Sequence, residues 1–266
     1  MHNASELEKD LESWGVPRES TVLIHSSMKS IGQVEGGADS VVEALSRFFD
    51  PGLLVLPTHT WMTVNQEGDV FDVQNSPSCV GVLPDVFRKR GDVIRSWHPS
   101  HSVAARGTDA EEFTAGEELA RTPCPKDGVY GRLLDREAYI AFLGCPMTKN
   151  TYVHGVEEWA GVPNRIASEA TGLFVRTPTG EMIATPQFRH KAPIDDVSSN
   201  YGKLQEPLDR FGLLREGRLG DATVLVTTAR GVYELATHLL DQEPDLFLTP
   251  DPVPEELLEG FVGARR

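Results

Sequence analysis

The sequence predicts an α/β fold, with a central, mostly parallel sheet, flanking helices and an additional antiparallel hairpin region. Two short apolar runs, at 20–27 and 51–58, enclose a segment of helical periodicity at 36–50. A third apolar run, at 139–145, leads directly into another helical segment. A strand, a helix and a second strand within forty residues form a unit whose strands pair in parallel through a right-handed crossover.

The first strand contains the uninterrupted run Val22, Leu23 and Ile24, which is typical of a strand buried on both faces. Asp39 or Ser40 can cap the helix that follows. The apolar side chains of this helix recur on one stripe at Val41, Val42, Ala44, Leu45, Phe48 and Phe49. "PGLLVLPT" is a second buried strand, so these elements predict the start of a parallel sheet.

The later segments add both orientations. Residues 173–188 alternate in polarity and turn at Thr179–Gly180, which predicts an antiparallel hairpin. Residues 189–214 begin as a polar loop and are expected to become helical after Ser198. "GDATVLVTTARGVYELATHLLDQEP" predicts one more strand and a closing helix, and the Pro-rich acidic tail is expected on the surface.

Length and composition predict a single globular domain over residues 1–266. The 266 residues include 39% hydrophobic residues, 24 Gly and 18 Pro, which suits a loop-rich enzyme. No apolar run reaches the roughly eighteen residues of a membrane span, and the acidic start is unlike a secretory signal, so we expect a cytoplasmic protein. Cys79, Cys124 and Cys145 form no C-x-x-C pair, which argues against a zinc knuckle or a disulfide framework.

The formal charge of −15 disfavours nucleic acid and anionic membranes as partners, because phosphate binding requires clustered Lys and Arg. It would attract a polycationic small molecule. Solubility alone is an alternative explanation of this charge.

The loop "HSSMKSIGQVEGG" between the first strand and its helix contains hydroxyl groups, Lys29 and three glycines. A loop of this kind can present N–H groups to an anion at a helix N-terminus. It is not a Walker loop, since Ala38 and Asp39 stand where Lys and Ser/Thr are required. The chain also has neither G-x-G-x-x-G nor G-x-S-x-G, which disfavours a dinucleotide fold and an α/β-hydrolase.

The stretch "TYVHGVEEWAGVPNR" places His154 three residues before Glu157 and four before Glu158, on a helix that Gly161 and Pro163 would end. Residues at these spacings share one helix face, so a carboxylate could orient the imidazole as a general base. An ordinary surface ion pair would have the same pattern. The position just after a strand favours a site, because open α/β sheets bind ligands at the carboxyl ends of their strands.

Four stretches, in order, resemble the aminoglycoside N3-acetyltransferase family: "VLIHSSMKSIGQVEGGADSVVEAL", "RSWHPSHSVAARG", "AYIAFLGCPMTKNTYVHGVEEWAGVP" and "GRLGDATVLVTTARGVYELA". The resemblance implies acetyl transfer from acetyl-coenzyme A to the 3-amino group of a 2-deoxystreptamine aminoglycoside, and hence antibiotic resistance. It also implies a fold different from the common small N-acetyltransferase fold.

Residue by residue, the resemblance implies that His154 is the base and that Glu157 orients it. It further implies that two segments border the coenzyme, through His25, Ser26, Ser27, Lys29 and Ser30 and through His98 and Ser102. The chain departs from the family's Ser-Pro turn with "CPKDGVYGRLL", so contacts around Lys126, Asp127 and Gly128 are in doubt.

The chemistry requires a base, because only a neutral amine attacks a thioester. An imidazole with a reference pKa of about 6.5, raised by a carboxylate, suits that task. No metal or covalent intermediate is needed. The Ser26–Ser27 turn is the candidate for stabilising the oxyanion.

Asp195 and Asp196, together with Glu158, are the candidate residues for binding the cationic acceptor. A solvated loop whose acidic groups contact nothing is the alternative for Asp195 and Asp196. Two alternatives for the whole chain stay open, namely an acyltransferase for another small amine and a non-catalytic small-molecule binder. Metal binding is an alternative for the His154–Glu157 pair. The sequence leaves the oligomeric state and the preferred aminoglycoside undetermined.

Overall fold

A computed structural model describes residues 1–263; the last three residues of the predicted domain and tail lie outside the described residues. The strands are β1 (Thr21–Ser26), β2 (Leu53–Pro57), β3 (Val70–Asp72), β4 (Ile94–Arg95), β5 (Val103–Gly107), β6 (Tyr139–Leu143), β7 (Phe174–Arg176), β8 (Met182–Ala184), β9 (Arg215–Leu219) and β10 (Ala222–Thr228).

The α-helices are α1 (Ala4–Glu12), α2 (Gly37–Phe48), α3 (Val82–Phe87), α4 (Ala110–Thr114), α5 (Val129–Asp135), α6 (Thr151–Trp159), α7 (Gln205–Arg210), α8 (Ala229–Gln242) and α9 (Glu255–Leu258). Short 3-10 helices cover Met28–Ile31, Glu117–Leu119, Met147–Lys149, Val197–Leu204 and Leu246–Leu248. No helix within residues 1–263 has the length and apolar character needed to cross a bilayer.

The main sheet has the strand order β4-β5-β2-β1-β6-β10-β9. β1 pairs in parallel with β2 and with β6, which confirms the predicted β1-α2-β2 unit and the α/β class. The expectation of a mostly parallel sheet is wrong, because the other four pairings described within this sheet are antiparallel. β9 and β10, for example, are joined by a turn at Gly220 too short for a parallel crossover.

A second sheet has the order β3-β7-β8. β7 and β8 form the antiparallel hairpin expected in 173–188, and its turn includes Gly180 at a φ of 88°. β3 adds to β7 in parallel. Phe71, Leu173 and Val175 are buried together under this sheet.

Two apolar clusters cover the two faces of the main sheet, which explains the uninterrupted apolar run of β1. Leu23 belongs to the cluster with α5, α6 and α8, while Val22 and Ile24 belong to the one with α1, α2 and α3. Successive side chains of a strand point to opposite faces. Both faces are therefore apolar, and polar side chains collect where the strands end.

The carboxyl ends of β1 and β6 lie side by side, with Ser26 opposite Leu143. The chain then turns at Gly144 (φ 63°), where an added Cβ would lie 2.5 Å from the Cβ of Ser30. The Ser30 hydroxyl donates to the Gly144 carbonyl (2.8 Å). This close approach requires glycine, and it sets the path into α6, which ends just before Gly161.

Candidate active site

A cavity of about 1180 Å³ lies at the carboxyl ends of β1 and β6. Its lining includes the end of β1, the turn after β6, the first turns of α6 and much of the segment 189–198. His154, on α6, is one of the lining residues. The cavity thus occupies the position at which α/β sheets bind ligands.

Tyr201 connects His154 to Glu157. The Tyr201 hydroxyl donates to Glu157 Oε2 (2.5 Å), and it lies 2.7 Å from His154 Nδ1. Since the single hydroxyl proton is directed at the carboxylate, Nδ1 carries its own proton and donates to the Tyr201 oxygen. Direct approach of Glu157 Oε2 to His154 Nδ1 is looser, at 3.9 Å. The predicted carboxylate–imidazole pair is therefore present, but it acts through a phenol.

Arg165 holds the other side of Glu157. Its Nε donates to Glu157 Oε1 (2.7 Å), and its two terminal nitrogens donate to the carbonyls of Pro163 and Pro244. Burial raises the pKa of Glu157, although Tyr201 and Arg165 act in the opposite direction. The guanidinium favours the ionised carboxylate, which accepts from Tyr201 through Oε2.

Burial lowers the pKa of His154 to about 4, and only the charge of Asp196 acts to raise it. The expectation of a net rise in this pKa is wrong, because desolvation outweighs the effect of the Asp196 carboxylate. The ring is consequently neutral at pH 7, with its proton on Nδ1. Within residues 1–263 no hydrogen bond involves Nε2, so this nitrogen has a lone pair available to accept a proton.

His190 stacks on His154 with ring centroids 4.1 Å apart. Behind it, His190 Nε2 lies 3.5 Å from Glu158 Oε1 and 3.9 Å from Cys124 Sγ. These three residues are the group within 1–263 whose donor atoms could hold a metal ion, all within 4.8 Å. Glu158 Oε1, however, already accepts the Cys124 N–H (3.0 Å), and burial raises the pKa of Glu158 to about 7.

The loop after β1 contributes part of the predicted coenzyme set. His25, Ser26 and Ser27 line the cavity, whereas Lys29 and Ser30 are exposed and outside its lining. The Ser27 N–H donates to Leu143 O, and the Ser27 hydroxyl lies 3.0 Å from the Ser30 hydroxyl. The Ser26 hydroxyl has no partner within the described residues, so it is the free donor of the turn predicted to stabilise an oxyanion.

His98 and Ser102 are buried behind the cavity and support its wall. His98 Nδ1 accepts the N–H groups of Ser100 (3.1 Å) and His101 (2.9 Å), and Nε2 donates to Thr122 O (3.1 Å). The Ser102 hydroxyl donates to Thr58 O (2.9 Å). Their neighbours Ser100 and His101 line the cavity instead, so the geometry does not support direct coenzyme contacts for His98 and Ser102.

Of the three acidic candidates for binding the acceptor, two line the cavity and one does not. Asp195 and Asp196 are exposed and line the cavity, and Asp196 is close enough to affect the pKa of His154. Glu158 is turned toward Cys124 and does not line the cavity. Lys126, Asp127 and Gly128, at the departure from the family pattern, also lie outside its lining.

A family model described as aminoglycoside 3-N-acetyltransferase matches residues 23–241 of this chain. The chain belongs to this family. Aminoglycoside N(3)-acetyltransferase IV from Salmonella sp is 28% identical over 249 residues, covering 92% of this chain and 90% of the relative. Aminoglycoside N(3)-acetyltransferase VII from Streptomyces paromomycinus is 27% identical and covers 89% and 91%.

Solved structures give the same answer for the fold of this aminoglycoside 3-N-acetyltransferase family member. The AAC(3)-IVa apoenzyme superposes with a TM-score of 0.77 at 25% identity, over 93% of this chain and 92% of that one. A mutant of that enzyme in complex with a gentamicin gives 0.80 over the same shares. AAC-IIIb in a binary complex with CoASH gives 0.78 at 23% identity, over 91% and 97%.

Sequence reasoning missed four residues of this family member's site: Asn150, Arg165, His190 and Tyr201. Tyr201 is 47 residues from His154 and 44 from Glu157, so no local spacing connects them. Asn150 precedes α6 and looks in sequence like an ordinary N-cap. Its side chain makes no capping bond, a fact that only the three-dimensional structure reveals.

Proposed function

We propose that this protein transfers acetyl directly from acetyl-coenzyme A to the 3-amino group of a 2-deoxystreptamine aminoglycoside, with His154 as the general base. The observation that carries this proposal is the His154 ring, which Tyr201 holds through Nδ1 while Nε2 is left unpartnered beside a large cavity. Family membership supports the reaction and its acetyl donor, and a relative in complex with a gentamicin supports the class of acceptor.

The proton is handled by the chain of Nε2, Nδ1–H, Tyr201 and Glu157. Nε2 takes a proton from the acceptor's ammonium or attacking amine, and the imidazolium that forms still donates to Tyr201 through Nδ1. The ionised Glu157, which accepts from Tyr201, stabilises the new positive charge at a distance of one hydroxyl group. The positive charge of Arg165 partly neutralises Glu157 and so limits this stabilisation. The same charge disfavours protonation of Glu157, so the proton taken from the amine stays on the imidazole.

A neutral imidazole at rest is an advantage for this reaction. Burial keeps the pKa of His154 below its ordinary value, and the positive charge of a bound acceptor would act in the same direction. The lone pair on Nε2 is therefore free at pH 7. The low basicity is offset by proximity, since the amine and the thioester are held together in one cavity. The thioester is already reactive, so transfer needs no covalent enzyme intermediate.

We further propose that the acceptor binds along the acidic wall made by Asp195 and Asp196, and that the coenzyme enters along His25, Ser26 and Ser27. Both groups of residues line the cavity that contains His154. The aspartates attract ammonium groups, whereas the strand-end loop offers a hydroxyl without a protein partner. This arrangement brings the amine and the thioester to His154 from two walls.

Acetylation removes one positive charge from the aminoglycoside, and we propose that resistance in the cytoplasm, where acetyl-coenzyme A is made, is the result. The test is release of free thiol from acetyl-coenzyme A by the purified protein, measured against a panel of aminoglycosides and simple amines, with NMR of the product. We expect turnover with 2-deoxystreptamine aminoglycosides and an acetyl group on N3. Turnover only with other amines would assign a different acceptor, and binding without turnover would make the protein a non-catalytic binder.

A further inference from the structure

We propose that Asn150 is a further catalytic residue, whose side-chain amide donates a hydrogen bond to the oxyanion formed from the thioester carbonyl. This proposal rests on the acetyl transfer proposed above. It assigns a role to a residue that the sequence presents as a helix cap.

Asn150 is 1% exposed, and neither Nδ2 nor Oδ1 has a hydrogen-bond partner within the described residues. Burying an amide without a partner is unfavourable, and such groups are rare outside functional sites. The residue also lines the cavity. Capping does not explain it, because the side chain makes no bond to the first turn of α6.

Asn150 lies at the N-cap position of α6, immediately before its first residue, Thr151. His154 is the fourth residue of this helix, and both side chains line the cavity. The first N–H groups of the nine-residue helix also lack intrahelical partners, and the helix dipole adds partial positive charge at this end. A donor amide, a helix N-terminus and the proposed base thus border the same cavity.

The loop after β1 offers fewer free donors. The Ser27 N–H is bonded to Leu143 O, and the Ser30 hydroxyl is bonded to Ser27 and to Gly144 O. Ser26 Oγ is the remaining candidate of that turn, since it has no partner within residues 1–263. Asn150 differs from Ser26 in lying at the N-cap of the helix that holds the proposed base.

The step is balanced as follows. The amine lone pair forms a bond to the thioester carbon, and the C=O π pair moves to oxygen, giving the oxyanion that Asn150 Nδ2–H meets. His154 Nε2 takes a proton from the amine nitrogen. The oxyanion pair then re-forms C=O, the C–S bond breaks, and the sulfur leaves as a thiolate that takes up the proton from His154. Amide and free thiol are the products, and no external reductant or oxidant takes part.

The test compares Asn150→Ala and the near-isosteric Asn150→Asp with Thr227→Val. Thr227 is also a buried polar residue without a side-chain partner, but it lies on β10 and outside the cavity lining. We expect both Asn150 variants to lose about 10²-fold in kcat, as oxyanion donors do, with KM for both substrates and Tm close to wild type. Thr227→Val should keep its kcat.

Three outcomes would overturn the inference. The first is a wild-type kcat in both Asn150 variants. The second is a rise in the aminoglycoside KM without loss of kcat, which would make Asn150 an acceptor ligand. The third is a 10²-fold loss in Ser26→Ala with none in Asn150→Asp. Wild-type acetyl transfer measured alongside separates these results from failure of the proposed function, since that function would stand in all three cases.

Discussion

The segment around His98 and the helix around His154 each combine an imidazole with polar neighbours, yet the two differ in what their ring nitrogens contact. Both nitrogens of His98 are satisfied by the backbone, at Ser100, His101 and Thr122. In His154 only Nδ1 is bonded, to Tyr201. Burial lowers the pKa of both rings to about 4, so charge does not distinguish them.

An available lone pair, rather than residue type or pKa, is thus the feature that distinguishes the proposed base from the structural histidine His98. His98 organises a loop whose neighbours Ser100 and His101 line the cavity. His154 can accept a proton because its ring is fixed through one nitrogen and left unpartnered at the other. Mutations should therefore affect stability at one position and turnover at the other.

The largest effect is expected from His154→Ala, which should lower kcat by about 10²- to 10⁴-fold because the general base is lost. The protein should keep its fold and its affinity for acetyl-coenzyme A. His98→Ala is the matched change. It should lower Tm, because the N–H groups of Ser100 and His101 lose their acceptor, and it should reduce kcat far less than His154→Ala does. Steady-state kinetics with thermal melts of both variants measure the contrast, and near-normal kcat across pH in His154→Ala would refute it.

Removing the phenol should have the next largest effect. Tyr201→Phe deletes the hydroxyl between His154 and Glu157, and we expect a loss of about 10- to 100-fold in kcat, as for other groups that orient a reactive imidazole. Tyr152→Phe is the control, because Tyr152 is fully buried on α6, the helix of His154 and Glu157. Its hydroxyl has no partner within the described residues. Equal losses in the two variants would reduce Tyr201 to a packing residue.

Changing the carboxylate should be milder, because the imidazole and the phenol remain. Glu157→Gln keeps the side-chain shape but removes the charge that stabilises an imidazolium, so kcat should fall by about tenfold. Glu158→Gln is its neighbour on the helix, and we expect a smaller loss. If kinetics of the pair show Glu158→Gln to be the more damaging change, the orienting carboxylate has been assigned wrongly.

The acidic wall should influence binding and not chemistry. Exposed ion pairs contribute about 0–1 kcal/mol each, so Asp195→Asn/Asp196→Asn should raise the aminoglycoside KM by roughly several-fold and leave the acetyl-coenzyme A KM unchanged. The salt dependence of the aminoglycoside KM should also become weaker. Unchanged acceptor kinetics at low ionic strength would favour a solvated loop that contacts nothing.

Protonation of the buried histidines should weaken the fold in acid. Burial lowers the pKa of His25 to about 3 and of His98 and His154 to about 4, and His59, His101 and His190 shift in the same direction. Below an unfolded-state pKa of about 6.5 the unfolded chain binds more protons, so each histidine costs up to about 1.4 kcal/mol per pH unit.

Three carboxyls oppose this trend, because burial raises the pKa of Glu117 and Glu158 to about 7 and shifts that of Glu157 in the same direction, so their folded forms take up protons before the unfolded chain does. Six histidines outweigh three carboxyls. Tm followed by calorimetry should therefore fall as pH decreases from 6.5 toward 4. A flat or rising Tm over this window would show that these imidazoles are not neutral in the folded protein.

The sequence was sufficient where the signal was local. The apolar run of β1, the stripe of α2 and the spacing of His154 and Glu157 predicted a βαβ unit with a helix at a strand end, and these lie where expected. Strand direction was not predictable for β5 and β10, because their residues do not encode it. Tyr201 was missed because packing over 44 residues of sequence brings it to Glu157. Arg165 is only eight residues from Glu157, but it lies beyond the end of α6, where helical spacing does not apply.

The most direct test of the difference between the two histidines is the position of their ring protons. Long-range ¹H–¹⁵N spectra of the ¹⁵N-histidine-labelled protein at pH 7, assigned with His98→Ala and His154→Ala, report each tautomer. The structure predicts a neutral His98 protonated on Nε2, which donates to Thr122, and a neutral His154 protonated on Nδ1, which donates to Tyr201. A His154 ring that is doubly protonated, or protonated on Nε2, would contradict its assignment as the base.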